Sequence, residues 1–542
     1  MSSGQVDRRG FLRLTGTGVA GLAAYGLLAA CGGGDDGAGG GASSGAAAGS
    51  GAAGASAGAS AGAGGSWDGN LRVSMSVDVT SLDPQKQGDM PSVSVANNIF
   101  DFLVTRDADN KLAPGIATEW SSPDEKTWRF KIRKGVKFHN GEPCDANAVA
   151  YSINRLKDPA TKSPIVELTY VVSAKAVDDY TVDFEMSAPD PIIPAKLTLF
   201  GGVIVPPQYI KDKGDAGFAE NPVGTGPFKF VSRQQDQQIV LEANPDYWGT
   251  KTAVKKLTFL IQPNPATAIA ALQSGEVDIV TSLTTDAAAQ LGDGAGASVK
   301  IVPGVREYYV AMNTLVDGPL ANKDVRIALN HAVDVPTIIK TIMGGAATRS
   351  ATLLPEPVFG FDPSIKPFEY DPDKAKSMLA DAGYPDGFST KLSSSSVTKD
   401  VVQAIAGQLE QVGVKCEVNV VDAGAFKQLL VSGDPQAIGP MYLSGNTGWT
   451  LDGESYLQST IRSNRRQSLW HNKDADALVD IEETSLDSDK RKDAFAQLQQ
   501  MFVDEAPYIY LYYASNVYAI SDTIDWTIPT TGSLAMASAK GK

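Results

Sequence analysis

Two hydrophobic periodicities alternate along the chain from Trp67 onward. Trp128, Phe130 and Ile132 alternate with Arg129, Lys131 and Arg133, and Tyr180, Val182, Phe184 and Met186 alternate with Thr181, Asp183 and Glu185. A period of two places one face on a core and the other in water, so both stretches read as half-exposed strands. That alternation alone accounts for the basic face at Arg129, Lys131 and Arg133 as solvated surface. Between the strands, Asp145 is placed to cap a helix whose Val149, Ser152, Ile153 and Leu156 share one face. Farther along, the pattern becomes helix, glycine stop, strand. Asp371 and Pro372 open a helix with Ala375, Met378, Leu379 and Ala382 on one side and Gly383 as its stop. A second helix runs from Asp400 through Val402, Ile405 and Leu409 to Gly413, followed by an alternating strand from Val414 to Val420. A third, near Ala266 to Ser274, ends at Gly275 and leads into Val277 to Val280. The body is therefore expected to be α/β, with two α/β parts, a mixed insertion and a ligand-sized cleft between lobes.

The first residues change the picture by giving the chain an address. Arg8, Arg9, Gly10, Phe11, Leu12 and Arg13 form a twin-arginine pattern, followed by an uncharged Ala/Gly/Leu-rich stretch ending in Leu28-Ala29-Ala30-Cys31. Residues 1–30 read as a lipoprotein signal peptide, with Cys31 as the lipidated first residue of the mature protein. Residues 32–66 hold only Gly, Ala, Ser and two Asp, a composition that cannot build a core and serves as a tether. The GxGxxG at Gly16 and the GxSxG at Gly54 fall in these two segments. Neither has a flanking strand, so neither is a nucleotide or nucleophile motif.

Composition narrows the function. The formal charge is −15, and an acidic chain does not suit a nucleic-acid backbone. His139, His331 and His471 are scattered, with no CxxC or HxxxH spacing, so no metal and no cofactor is expected. Cys144 precedes a helix and Cys416 lies in a strand. Pairing between them is open, although the alternation of Cys416 with Val414, Val418 and Val420 favours a buried thiol.

Ser81-Leu82-Asp83-Pro84-Gln85, the long segment from Trp128 through Arg155, Asn221 to Phe228, Asn244 to Trp248, Leu272 to Asp278 and Asn322 to Leu329 occur in one order. This series resembles the family 5 extracellular solute-binding proteins of ABC importers, the oligopeptide, dipeptide and nickel binders, over about Leu71 to Ile520. The resemblance implies a bilobed class II periplasmic-binding-protein fold with an extra α+β domain. Lobe I is then expected at 67–105, 222–307 and 506–542, the extra domain at 106–221, and lobe II at 308–505, with strands between the lobes as hinge. Most of the shared motifs read as fold. Gly224-Thr225-Gly226-Pro227 reads as a tight turn that only glycine permits and His139-Asn140-Gly141 as a hairpin turn.

The resemblance also supplies candidate ligand residues. Trp449 followed by Asp452 is similar to a family segment in which an Asp grips a peptide's α-ammonium group, although Gly453-Glu454-Ser455 departs from the Asp-Pro that often continues it. Asp89, Met90 and Ser92 are expected in a loop that pairs with an extended ligand, and Tyr308, Tyr309 and Asn313 at the lobe crossing. Tyr308 and Tyr309 point to opposite faces of a strand, so one of the two at most can face solute. The expected protein is a monomer, not an enzyme. It is held outside the cytoplasmic membrane by lipid and delivers a small solute, peptide first among the choices, to permease and ATPase subunits. A nickel chelate, a sugar or another small molecule is the alternative solute, and an exported enzyme or a sensor the alternative role.

Overall fold

The computed structural model describes residues 67–542 apart from 293 and 459. The signal peptide, Cys31 and the tether lie outside the described residues. The segments expected from periodicity form where the pattern puts them, except that the run Val277 to Val280 is a strand only at Ile279–Val280. Strands run Thr127–Ile132 and Thr181–Met186, and a helix runs Ala146–Lys157 with Asp145 Oδ1 accepting from the backbone N–H groups of Asn147 and Ala148. Such a cap is worth about 1 kcal/mol. Helices Pro372–Asp381, Lys399–Gln411 and Pro265–Gln273 and strand Val414–Val421 complete the set.

One 11-stranded sheet unites the two lobes. Its lobe I side contains the strands Asn70–Met75, Lys256–Ile261, Gln238–Ala243 and Phe228–Gln234, and its lobe II side contains Met441–Thr447, Phe388–Ser395 and Val414–Val421. Between them run two long strands, Ala297–Met312 and Tyr508–Ser521. They pair antiparallel from Ala297 opposite Ser521 to Ala311 opposite Tyr508, with register shifts at Val302/Arg306 and Tyr308/Tyr309. Each passes from one apolar core to another. Val517 and Ala519 pack with Ile269 and Leu272, whereas Val310, Met312, Ile509 and Leu511 pack with Leu329, Ile405 and Leu443. These two strands form a ribbon that joins the lobes.

The extra domain is a four-stranded antiparallel sheet, Ala117–Asp124, Thr127–Ile132, Thr181–Met186 and Val171–Asp178, covered by the helix Ala146–Lys157. Phe130 and Phe184, with ring centroids 4.8 Å apart, sit in its core with Val149 and Ile153. The basic face is tied up locally: Arg129 donates twice to Asp183 at 2.7 Å, and Arg133 lies over the Trp248 ring at 4.7 Å.

A buried charge cluster locks this domain to lobe I. Arg155 donates to Asp83 Oδ2 at 2.6 Å, to Gln85 Oε1 at 2.7 Å and to Asp215 Oδ1 at 2.8 Å, and Gln85 donates to the Ser152 carbonyl at 2.7 Å. Asp83 is fully buried. The opening motif Ser81 to Gln85 therefore acts through architecture.

Gly224 and Gly226 are required for a different reason than expected. Neither has a positive φ. A Cβ on Gly224 would lie 2.0 Å from the Ile99 carbonyl oxygen, and one on Gly226 2.7 Å from it. Close approach of two backbones, not turn geometry, excludes a side chain there. Cys144 is buried in the extra domain, Cys416 lies in a lobe II strand, and both thiols are free.

Candidate functional site

Three neighbouring cavities lie where the lobes, the ribbon and the extra domain meet. The first, about 320 Å³, is lined by Met75, Met90 and Ser94 from lobe I, Arg306 and Asn516 from the ribbon, and Trp449 from lobe II. The second, about 250 Å³, lies between the extra domain and lobe II, with Glu167, Lys196 and Phe200 facing Asn446, Trp449 and Glu454. The third, about 460 Å³, opens on Arg306, Tyr308, Ser395, Lys427, Asn446 and Gln467. Thr447 and Trp449 border the first and second, Arg306 the first and third, and Asn446 the second and third. They are branches of one cleft around the end of strand Met441–Thr447.

The loop after that strand carries Trp449 into the cleft. Its shape is strained and fixed. Leu451 takes a left-handed φ of 51°, which costs a residue with a Cβ about 1–2 kcal/mol. A Cβ on Gly448 would come within 2.0 Å of the Tyr456 ring. What holds the loop is Asp452. Arg491, on helix Ser488–Glu505, donates to Asp452 Oδ1 at 2.6 Å and to Oδ2 at 3.0 Å, and the Glu454 N–H donates to Oδ1 at 3.1 Å. The guanidinium itself lies 4.9 Å from the centre of the Phe359 ring and also donates to the Glu482 carbonyl at 2.7 Å. A two-pronged pair of this kind is geometrically specific and strong.

This arrangement corrects the expectation of an ammonium grip. Asp452 is buried and borders none of the three cavities, and both its oxygens are engaged by Arg491. Its work is to position Trp449. Four other expected residues also serve the fold. Tyr309 is fully buried among Tyr442 and Tyr508. Asn313 is fully buried and donates to the Pro435 and Gly439 carbonyls. Asp89 caps the helix Met90–Ile99 and accepts from Thr80. Ser92 is buried, and its hydroxyl accepts from the Thr80 N–H, whereas Ser94, two residues on, meets the cleft. Met90, Tyr308 and Trp449 do line the cleft.

The sequence reading missed Arg306, Asn446, Lys196 and Lys427. A signal for Arg306 was present: in a strand, residues two apart share a face, so Arg306 accompanies Tyr308. Its guanidinium lies 5.1 Å from the Tyr308 ring centre.

The second cavity has a charged floor. Lys196 is buried and bonds Asp190 at 2.8 Å and Glu454 at 3.4 Å. Burial pushes the Glu454 carboxyl up to about 7 against the pull of Lys196. Burial alone would lower the Lys196 ammonium, but Glu454 and Asp190 outweigh it and hold it above its ordinary value. Burial also raises Glu167, whose Oε2 has no hydrogen-bond partner among the described residues. Two further contacts join the extra domain to the Trp449 loop: the Phe200 and Trp449 rings meet edge-on at 5.8 Å, and Arg106 donates to the Thr450 carbonyl. No group of histidine, cysteine and acidic side chains among the described residues is arranged to hold a metal ion.

The chain matches the family described as bacterial extracellular solute-binding proteins, family 5 Middle, over residues 111–468. It is 28% identical over 479 residues to the glutathione-binding protein GsiB of Escherichia coli O6:K15:H31, covering 85% of this chain and 93% of that one. It is also 28% identical over 454 residues to the dipeptide-binding protein of Escherichia coli K12, covering 77% and 83%. The periplasmic binding protein DppA of Helicobacter pylori, solved with the peptide STSA, superposes with a TM-score of 0.71 at 28% identity, covering 87% of this chain and 98% of that one.

Proposed function

Because the chain belongs to the family 5 bacterial extracellular solute-binding proteins, we propose that it is the extracytoplasmic receptor of an ABC importer and captures a peptide-class solute in the branched cleft. One observation carries this reading: the first cavity takes its walls from both lobes and its floor from the ribbon that joins them. A solute there touches lobe I at Met90 and lobe II at Trp449 together, so its binding energy can favour closure. The relatives that bind glutathione and dipeptides support a peptide-class solute. The closed form then docks on permease subunits, while separate ATPase subunits drive release. In this reading the lobes divide at 67–105, 222–307 and 506–542 against 308–505, with 106–221 as the extra domain. The protein acts as a monomer, turns over no substrate and is held outside the membrane through lipid on Cys31. No described helix is long and apolar enough to cross a membrane.

A non-peptide solute is the second reading, and it is favoured by the engagement of Asp452 with Arg491, which leaves that carboxylate unable to receive an ammonium group. Small-angle scattering and thermal melting of the purified full chain, with di- and tripeptides and then with sugars and metal chelates, test the two readings. Compaction and a raised melting temperature with peptides are expected. The same response to non-peptide solutes alone would select the second reading, and no response to any solute would overturn both.

A further inference from the structure

Glu307 is a buried acid to which the fold offers nothing. It lies on the strand Ala297–Met312, opposite Tyr513 of one neighbouring strand and Asn446 of the other. The residue is fully buried, and neither carboxyl oxygen has a hydrogen-bond partner among the described residues. Its surroundings are phenolic. The hydroxyls of Tyr309, Tyr456, Tyr508, Tyr510 and Tyr513 are raised by burial first and by the Glu307 charge in addition, so all five lie near enough to feel it. Four of them donate elsewhere: Tyr456 to the Val305 carbonyl, Tyr508 to that of Thr460, Tyr510 to that of Phe502, and Tyr513 toward those of Thr352 and Leu354. The Tyr309 hydroxyl makes no hydrogen bond among the described residues. The other titratable groups on these elements turn away or are matched. Arg306 and Tyr308 share the opposite face of the strand and lie against each other. Tyr442 donates to the Gln467 carbonyl, and Glu454 is paired with Lys196. Burial alone holds the Glu307 carboxyl well above its ordinary value.

An ionised carboxylate in such a core is so costly that the group takes up a proton instead. The neutral acid is no better placed, because its own O–H then lacks an acceptor. Either form strains this arrangement of the chain, and the position of the strain is telling. Glu307 stands in a stretch of three paired residues between the two slips of the ribbon, at Val302/Arg306 and at Tyr308/Tyr309. Gly304, Val305 and Arg306, just before it, line the first cavity between the lobes. A bend of the ribbon that brings water to the carboxyl relieves both costs. We propose that Glu307 is a proton-operated element of the hinge: it is neutral while both lobes flank the first cavity, and it releases its proton to water when the ribbon bends and the lobes part. Bringing the lobes together again takes a proton back. Below the ordinary carboxyl range the acid favours neither form. Above that range each pH unit favours the parted form by up to about tenfold, until the buried acid itself ionises. The inference rests on the ribbon being the hinge of the receptor and holds for any solute.

Small-angle scattering of the purified full chain without solute, from about pH 5 to about pH 9, tests it. The series is run in a Glu454→Gln background, which removes another carboxyl that titrates near neutrality. The radius of gyration is expected to rise with pH when residue 307 is Glu. Glu307→Gln should keep the chain at its low-pH radius throughout, and Glu307→Leu, which suits the apolar surroundings, should do the same. Infrared spectroscopy near neutral pH reads the proton directly: the carbonyl band of a protonated carboxyl should lose intensity on Glu307→Gln. A band that substitution leaves unchanged would mean that the acid is ionised, and the proposal falls. It falls as well if the scattering series is the same with Glu, Gln and Leu at 307, even where melting shows the substituted chains to be more stable, because the acid then burdens the fold without steering the hinge. Either result leaves solute capture standing. Capture fails on its own test, when no solute compacts the chain, and these solute-free series do not depend on that outcome.

Discussion

The extra domain is held on both sides by buried charge, and the two seams are built differently. Toward lobe I, Arg155 reaches Asp83 and Gln85 with three hydrogen bonds between 2.6 and 3.3 Å, and Lys86 of lobe I meets Asp215 of the extra domain at 2.6 Å. Toward lobe II, one amine serves. Lys196 holds Asp190 within its own domain at 2.8 Å and reaches across to Glu454 at 3.4 Å. The two seams also respond oppositely to pH. Burial works to raise Asp215, but Lys86 and Arg155 override it and hold its carboxyl below the ordinary value. That contribution is present above the unfolded value and is lost as pH falls through the folded one. Glu454 is raised by burial to about 7. Its protonated form is the one the fold favours, so its contribution is complete below about 4.5 and is lost as pH rises through about 7. The first seam resists parting near neutral pH. The second bears the cost of an ionised, buried Glu454 once the pH passes about 7.

The sharpest way to break this contrast is Arg155→Met. It strands Asp83, which is fully buried, and should cost about 3–5 kcal/mol, read as a lowered urea midpoint at pH 7. Lys196→Met should cost less, about 2–3 kcal/mol at pH 8, and less again at pH 5.5, where Glu454 takes up a proton. Equal losses at the two pH values would remove the proposed asymmetry. Glu454→Gln should have the smallest effect, a gain of about 1 kcal/mol at pH 8 and almost none at pH 5, seen by thermal melting across that range. A loss at pH 8 would show that the crossing pair outweighs the burial of the acid.

What was legible in the sequence was what is decided locally. The helix from Pro372 has its cap, proline start, apolar face and glycine stop within a dozen residues, so periodicity finds it. The strand at Thr127 is equally local. The site was harder to read, because its chemistry depends on partners far apart in the chain. Asp452 read as a ligand carboxylate because nothing near it reveals Arg491, 39 residues later on another element. Asn313 and Asp89 are polar residues in the right region, yet their hydrogen bonds are consumed by backbone groups and, for Asp89, the Thr80 hydroxyl, partners that no periodicity exposes. Gly224 shows the same limit. The glycine is visible in the sequence, whereas the Ile99 carbonyl that excludes a side chain comes from another segment.

The two-strand ribbon also divides the labour of recognition. Its pairing slips between Val302 and Arg306, where the ladder is interrupted and bending is easiest. A bend there makes that point the fulcrum and the lobes two lever arms. A charge at the fulcrum scarcely moves while the arm tips sweep together. Arg306, next to that point, borders two branches of the cleft, and a contact made there is nearly the same in the open and closed forms, so it favours neither. Met90 and Trp449 sit on opposite arms, and only in the closed form do they meet one solute together. They set how far landing tips the balance toward closure. Contacts at the arm tips can therefore be changed to alter closure without altering what is met at the fulcrum.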